Sequence, residues 1–133
     1  MAARTLDEEG ALTKMRGLLF GFSITRSIAL AAELGIADRL AGGPRRPAEL
    51  AHECGVLERP LYRMLRALAG EGVFSEDNDG CFALTPMAEL LRSDHPRSLR
   101  DWAIALADLP YRTSMEMLHS LRTGESAFRK CSA

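Results

Sequence analysis

The chain has 133 residues, 47% of them apolar, enough for one domain that hides roughly two thirds of its unfolded surface from water. Seventeen basic residues against eighteen acidic ones leave a net charge of −1, a weak footprint for a nucleic-acid binder, whose affinity rests on phosphates neutralised by Lys and Arg. Three cysteines without a C-x-x-C pair and three scattered histidines argue against a disulfide framework and against a metal site, and point to a cytoplasmic protein with reduced thiols.

Residues 1–10 read as a flexible leader, acidic and without the apolar stretch of a signal peptide. A long helix is predicted from about Leu12 to Leu34, with Gly35 as its stop. Its apolar positions occupy more than one stripe. Leu12, Met15, Leu19 and Phe22 make one face, and Phe20, Ile24, Ile28 and Ala31 make another. A helix apolar on several sides is buried on several sides, so the first face is expected to form a homodimer interface. A central core helix in a monomer is the alternative. Arg26, Glu33, Asp38 and Arg39 interrupt the most apolar stretch, Leu18 to Leu40, which excludes a membrane span there.

A short helical turn is predicted over Ile36–Ala41, followed by the loop GGPRRP. Pro47–Cys54 then reads as a helix with proline at its first position and Gly55 just past its end. A second helix, from about Arg59 to Ala69, carries Leu61, Met64, Leu65 and Leu68 at spacings of three and four. Val73–Glu76 and Cys81–Leu84 flank Asp77-Asn78-Asp79-Gly80, a hairpin turn. Helix, turn, helix and hairpin in this order make a winged helix. Thr85-Pro86 caps a further helix. Two more follow, Ser98 to about Leu109 and Tyr111 to about Arg122, separated by Pro110 and closed by Gly124. The tail beyond has no predicted element. The sum is a mainly α domain over residues 11–133, with about seven helices and one hairpin.

The search for catalytic groupings returns no G-x-x-x-x-G-K-[ST] loop, no G-x-S-x-G elbow and no H-E-x-x-H helix. Gly70-Glu71-Gly72 follows a helix and precedes a strand, the reverse of a nucleotide-binding loop, and reads as a helix stop. His52, His95 and His119 lack the acid partner that marks a general base. Arg59, Arg63 and Arg66 form a row on the second helix of the winged-helix unit. That row suits phosphate contact in a DNA-binding transcriptional regulator or a solvated face in a scaffold, and the neutral total charge favours the scaffold. Phe20, Trp102, Tyr111 and Met115 are large side chains outside the winged helix. They are candidates for the wall of an aromatic pocket if the long helix meets the last two.

Four segments in this order, ELGIADRL, LYRMLRAL-x-x-x-GVF, FALTPMAELL and LRTGESAF, resemble the N-terminal domain of the S-adenosylmethionine-dependent small-molecule O-methyltransferases, with the nearest likeness among bacterial natural-product enzymes. The resemblance covers residues 12–128. It implies a helical, winged-helix-like dimerisation domain, a homodimeric partner, and helices that cap the pocket of a hydroxylated, aromatic acceptor. In that family methyl transfer occurs in a Rossmann-like domain that follows. The family's acidic glycine-rich cofactor loop and its catalytic histidine belong beyond LRTGESAF, and neither occurs in these 133 residues. The expectation is therefore a truncated chain or isolated domain, inactive by itself. It would have no catalytic, cofactor-binding or metal-ligating residue of its own, although the parent family uses S-adenosylmethionine.

Overall fold

Amphipathic spacing on one helix sets the core. In the computed structural model, which describes residues 6–131, α5 (Glu58–Gly70) buries Leu61, Leu65 and Leu68 completely or nearly so. Each such leucine contributes about 1.5–3 kcal/mol over leaving it in water. They meet Leu50 and Ala51 of α4 (Pro47–Cys54), Ile36 and Ala37 of α3 (Ile36–Arg39) and Ala31 of α2 (Gly21–Glu33). Gly55 closes α4 at φ 66°, a left-handed conformation that glycine adopts without steric cost.

The hairpin completes this core. β1 (Phe74–Glu76) pairs antiparallel with β2 (Phe82–Leu84), Phe74 standing opposite Leu84. Phe74 and Phe82 point inward, and the Phe82 ring meets Tyr62 edge-on at 5.9 Å. Asp77 holds the turn, its Oδ1 accepting from the backbone N–H groups of Asp79 and Cys81, both at 2.9 Å. Arg45 adds a bridge to the outer side of β2, exchanging backbone hydrogen bonds of 2.9 and 2.8 Å with Phe82. The GGPRRP stretch therefore supplies a third strand-like contact to the wing, although its glycines and prolines read as a plain loop.

Thr85 ties the wing to the next helix. Its hydroxyl donates to the Val73 carbonyl at 2.6 Å and accepts from the Ala88 N–H at 3.2 Å, capping α6 (Pro86–Glu89). The helix predicted to follow Thr85-Pro86 ends after this one turn, and residues 90–92 continue as turn and bend.

The N-terminal region departs from expectation. The single helix predicted over Leu12–Leu34 is two, α1 (Glu8–Leu19) and α2, with Phe20 outside regular helix between them. Gly17 and Gly21 flank the break, each about 1 kcal/mol poorer than alanine in a helix. α1 also buries no residue, so no packing enforces a continuous path. The helix starts earlier than predicted, because the Asp7 side chain accepts from the Gly10 N–H at 2.9 Å and caps it. Glu8–Gly10, read as part of a flexible leader, are thus helical; residues 1–5 of that leader lie outside the described residues.

The C-terminal region is likewise more finely divided. α7 (Arg100–Leu106), α8 (Leu109–Ser114), α9 (Met117–Thr123) and α10 (Ala127–Cys131) replace two predicted helices and an unstructured tail. Pro110 sits in the first turn of α8, where its missing N–H costs nothing, so it begins a helix instead of separating two. The predicted Tyr111–Arg122 helix breaks at Met115–Glu116. There the Ser114 hydroxyl donates to the Tyr111 carbonyl at 2.6 Å, a local bond that competes with helix continuation. α10 packs on α8, and α7 on α2. Ten helices and one hairpin are thus described, against about seven helices predicted. No helix among the described residues is long and apolar enough to cross a membrane.

Candidate functional site

The most conspicuous surface is apolar. Leu12, Met15 and Leu19 on α1 and Phe22 at the start of α2 are all exposed, Leu19 by 67% and Phe22 by 59%. Leu18 and Phe20 add to the same end of the molecule. One exposed leucine is ordinary; a run of six large apolar side chains within eleven residues is the mark of an interaction surface. The second face of the predicted long helix behaves differently from Ile24 onward, whereas Phe20, assigned to that face, is exposed at the break between α1 and α2. Ile24 and Ile28 are half-buried against the core and Ala31 is fully within it. Two faces with two destinations explain why the sequence showed more than one stripe.

Cavities adjoin the helices at several places among the described residues. One of about 650 Å³ is an apolar groove between α2 and α5 lined by Leu30, Leu34, Leu57, Pro60, Leu61 and Met64 among others. A hollow of about 190 Å³ lies between α2 and α7, with Ile28, Leu99, Trp102 and Leu106 in its wall. A third, of about 310 Å³, is lined by Met115, His119, Arg122 and Lys130. The four predicted pocket residues are not gathered in one place. Trp102 lines the α2–α7 hollow, Met115 the C-terminal one, and neither Phe20 nor Tyr111 is among the residues lining these three. The groove on α5 escaped sequence reading because its lining is contributed by α2 and by the start of α5.

Electrostatics are local. Glu53 on α4 accepts from Arg45 at 2.9 Å and from Arg39 at 3.0 Å. The Arg45 hydrogen bonds, followed by those of Arg39, hold the Glu53 carboxyl down at about 2, below its ordinary 4.5. This triad fastens α4 to α3 and to the strand-like Arg45 segment, so its role is structural. Arg59, Arg63 and Arg66 are exposed on the outward side of α5 and belong to none of the ion pairs among the described residues. His95 accepts from the Arg97 N–H through Nδ1 at 3.1 Å. His119, expected to lack an acid partner, has one: its Nε2 lies 3.3 Å from Glu125, which the turn after α9 brings into reach across six residues. Among the described residues no group of three or more His, Cys, Asp or Glu side chains is placed to hold a metal ion.

A winged helix preceded by an apolar-faced helix and followed by a run of short helices defines a helical domain with an exposed apolar face. The comparisons with known proteins say which. Residues 17–94 match the O-methyltransferase dimerisation domain, and the chain belongs to that family. It is 43% identical over 113 residues to the phenazine O-methyltransferase PhzM of Lysobacter antibioticus, covering 85% of this chain and 33% of that protein. To the 3-amino-4-hydroxybenzoate 4-O-methyltransferase of Streptomyces cremeus it is 42% identical, over 84% of this chain and 31% of the relative. Among solved structures, LaPhzM superposes with a TM-score of 0.85 at 41% identity, covering 90% of this chain and 36% of that one. The neocarzinostatin O-methyltransferase NcsB1, solved in complex with S-adenosyl-L-homocysteine, matches with a TM-score of 0.71 at 34% identity, over 86% of this chain and 38% of the other. The chain spans about a third of the length of the curated relatives it matches.

Proposed function

We infer that these residues form the pairing domain of a dimeric, S-adenosylmethionine-dependent O-methyltransferase that acts on a hydroxylated, aromatic small molecule. One observation carries this reading. A domain of the O-methyltransferase dimerisation family presents, on α1 and the start of α2, an apolar face that is exposed among the described residues. Leu12, Met15, Leu19 and Phe22 are its proposed contacts with a second copy. Obligate pairing surfaces are apolar in just this way.

Trp102 and Met115 are proposed as contributors to the wall of the acceptor pocket, with Phe20 and Tyr111 as further candidates. An aromatic acceptor suits this set, because flat rings and a thioether give large, adaptable contact area. Support for the acceptor class comes from relatives whose names specify a phenazine, a hydroxynaphthoate and an aminohydroxybenzoate. In such an enzyme the acceptor oxygen loses its proton and attacks the methyl carbon of the sulfonium donor, releasing the thioether. This domain would position the acceptor and exclude water, while donor binding and proton removal belong to the part of the relatives that these residues do not span.

Isothermal titration of the 133-residue chain with S-adenosylmethionine, and separately with a panel of phenols, tests the division of labour. No heat is expected from the donor. A saturable heat from it would contradict the assignment of these residues to pairing and acceptor contact.

A further inference from the structure

The C-terminal hollow differs from the others described above in what lines it. Neither the α2–α5 groove nor the α2–α7 hollow has a basic side chain in its wall. The C-terminal hollow, of about 310 Å³, has Arg122 and Lys130, together with the apolar Met115 and Leu118. Leu118, His119 and Arg122 stand about one turn apart along α9 and so share a side of it. Lys130 comes from α10.

Charge in this hollow is unevenly answered. Lys130 Nζ donates to Glu116 at 2.5 Å, and His119 Nε2 lies 3.3 Å from Glu125. Glu116 is therefore already held, and Glu125 is not one of the lining residues. Arg122 belongs to no ion pair among the described residues. Other arginines share that freedom, Arg129 among them, but of these only Arg122 lines one of the hollows described. Lys130 keeps two of its three ammonium donors after Glu116 takes one.

A free guanidinium beside a thioether and a leucine is chemistry for a carboxylate on an apolar ring. The planar fork pairs with both carboxylate oxygens, and the ring covers Met115 and Leu118. A phenol offers the fork a single oxygen. A cationic guest meets the Arg122 charge and finds Glu116 taken. The volume lies at the small end of the range for ligand sites, about 300–1,000 Å³, so one small ring system fits.

We propose that this hollow binds the carboxylate of an aromatic acid, held by Arg122 with Lys130 in support. The inference rests on the acceptor contact assigned to Met115, and it narrows that acceptor from a hydroxylated aromatic to a hydroxylated aromatic acid.

Nuclear magnetic resonance titration of the nitrogen-15-labelled chain tests this with 4-hydroxybenzoate and its methyl ester, which keeps ring and hydroxyl but loses the charge. The acid is expected to bind about tenfold or more tightly than the ester, shifting the amides of Leu118, Arg122 and Lys130. Arg122 is exposed, so Arg122→Gln keeps the fold, which circular dichroism checks. This variant is expected to abolish the preference for the acid while leaving ester affinity unchanged, and Arg122→Lys to recover part of it. Arg129→Gln, which removes an arginine outside the hollow, is expected to change nothing. Equal binding of acid and ester overturns the acid site while leaving the acceptor reading intact. So does a preference that survives Arg122→Gln, or that falls as far with Arg129→Gln. Binding of neither compound overturns both the site and the acceptor contact assigned to Met115.

Discussion

Replacing Phe82 by alanine is the sharpest test of how the winged helix is held together. The ring is wholly buried, packs edge-on against Tyr62 and belongs to the same cluster as Leu65, Leu68 and Phe74. Removing a buried phenylalanine costs about 3–5 kcal/mol, the transfer term and the cavity adding together. Of this, roughly 0.5–1.5 kcal/mol is the aromatic pair itself. Against a total of about 5–15 kcal/mol for a domain, the loss is a large fraction, and at about 4 °C per kcal/mol it lowers Tm by about 12–20 °C. The backbone bonds between Arg45 and Phe82 survive the substitution, so the effect reads packing alone. Urea unfolding followed by circular dichroism measures it, at one fixed protein concentration because pairing adds a mass-action term. Tyr62→Phe serves as the control. It removes only the 2.9 Å bond to Glu76, which contributes about 0.5–1.5 kcal/mol. If Phe82→Ala costs less than Tyr62→Phe, the hairpin is not part of the core and the reasoning fails.

Two further substitutions probe the supports around that core. The Glu53 carboxyl sits at about 2 in the folded chain against an ordinary 4.5. A lowered value means that the ionised form favours the fold, so this contribution is complete above about pH 4.5 and disappears as pH falls toward about 2. The Tm difference between wild type and Glu53→Gln should therefore shrink across that window, and parallel melting curves would show that the Arg39–Glu53–Arg45 triad contributes nothing. Thr85→Ala removes the cap of α6 together with its bond to Val73 and should cost about 1 kcal/mol in urea unfolding. Thr85→Ser, which keeps the oxygen, should recover most of it; equal losses would point to the methyl group instead.

Much of this architecture was legible in the residues because short-range chemistry decides it. Proline at the first helical position and glycine just past the end bounded α4 as observed, and the spacing of Leu61, Leu65 and Leu68 placed the buried side of α5. Asp77 to Gly80 announced the hairpin. Misreading began where local signals balance. A run of apolar residues around Phe20 looked continuous, yet two glycines and the lack of any buried residue on α1 broke it. Pro110 read as a separator because proline ends helices as readily as it starts them. The third strand-like contact at Arg45 was invisible, since a bridge to β2 depends on tertiary placement that glycines and prolines do not advertise. For the candidate site, the apolar α1 face was legible as multi-sided hydrophobicity. The α2–α5 groove was not, because its walls come from elements distant in sequence.

Everything proposed for this chain depends on the exposed face of α1 and the start of α2 meeting a second copy. Multi-angle light scattering coupled to size exclusion, run at micromolar concentration, decides the point. The expected mass is about twice the 14.6 kDa of one chain, with Leu19→Glu/Phe22→Glu falling to the mass of one chain while retaining its helical circular dichroism. A wild-type chain that elutes as a folded monomer of 14.6 kDa would contradict the pairing role.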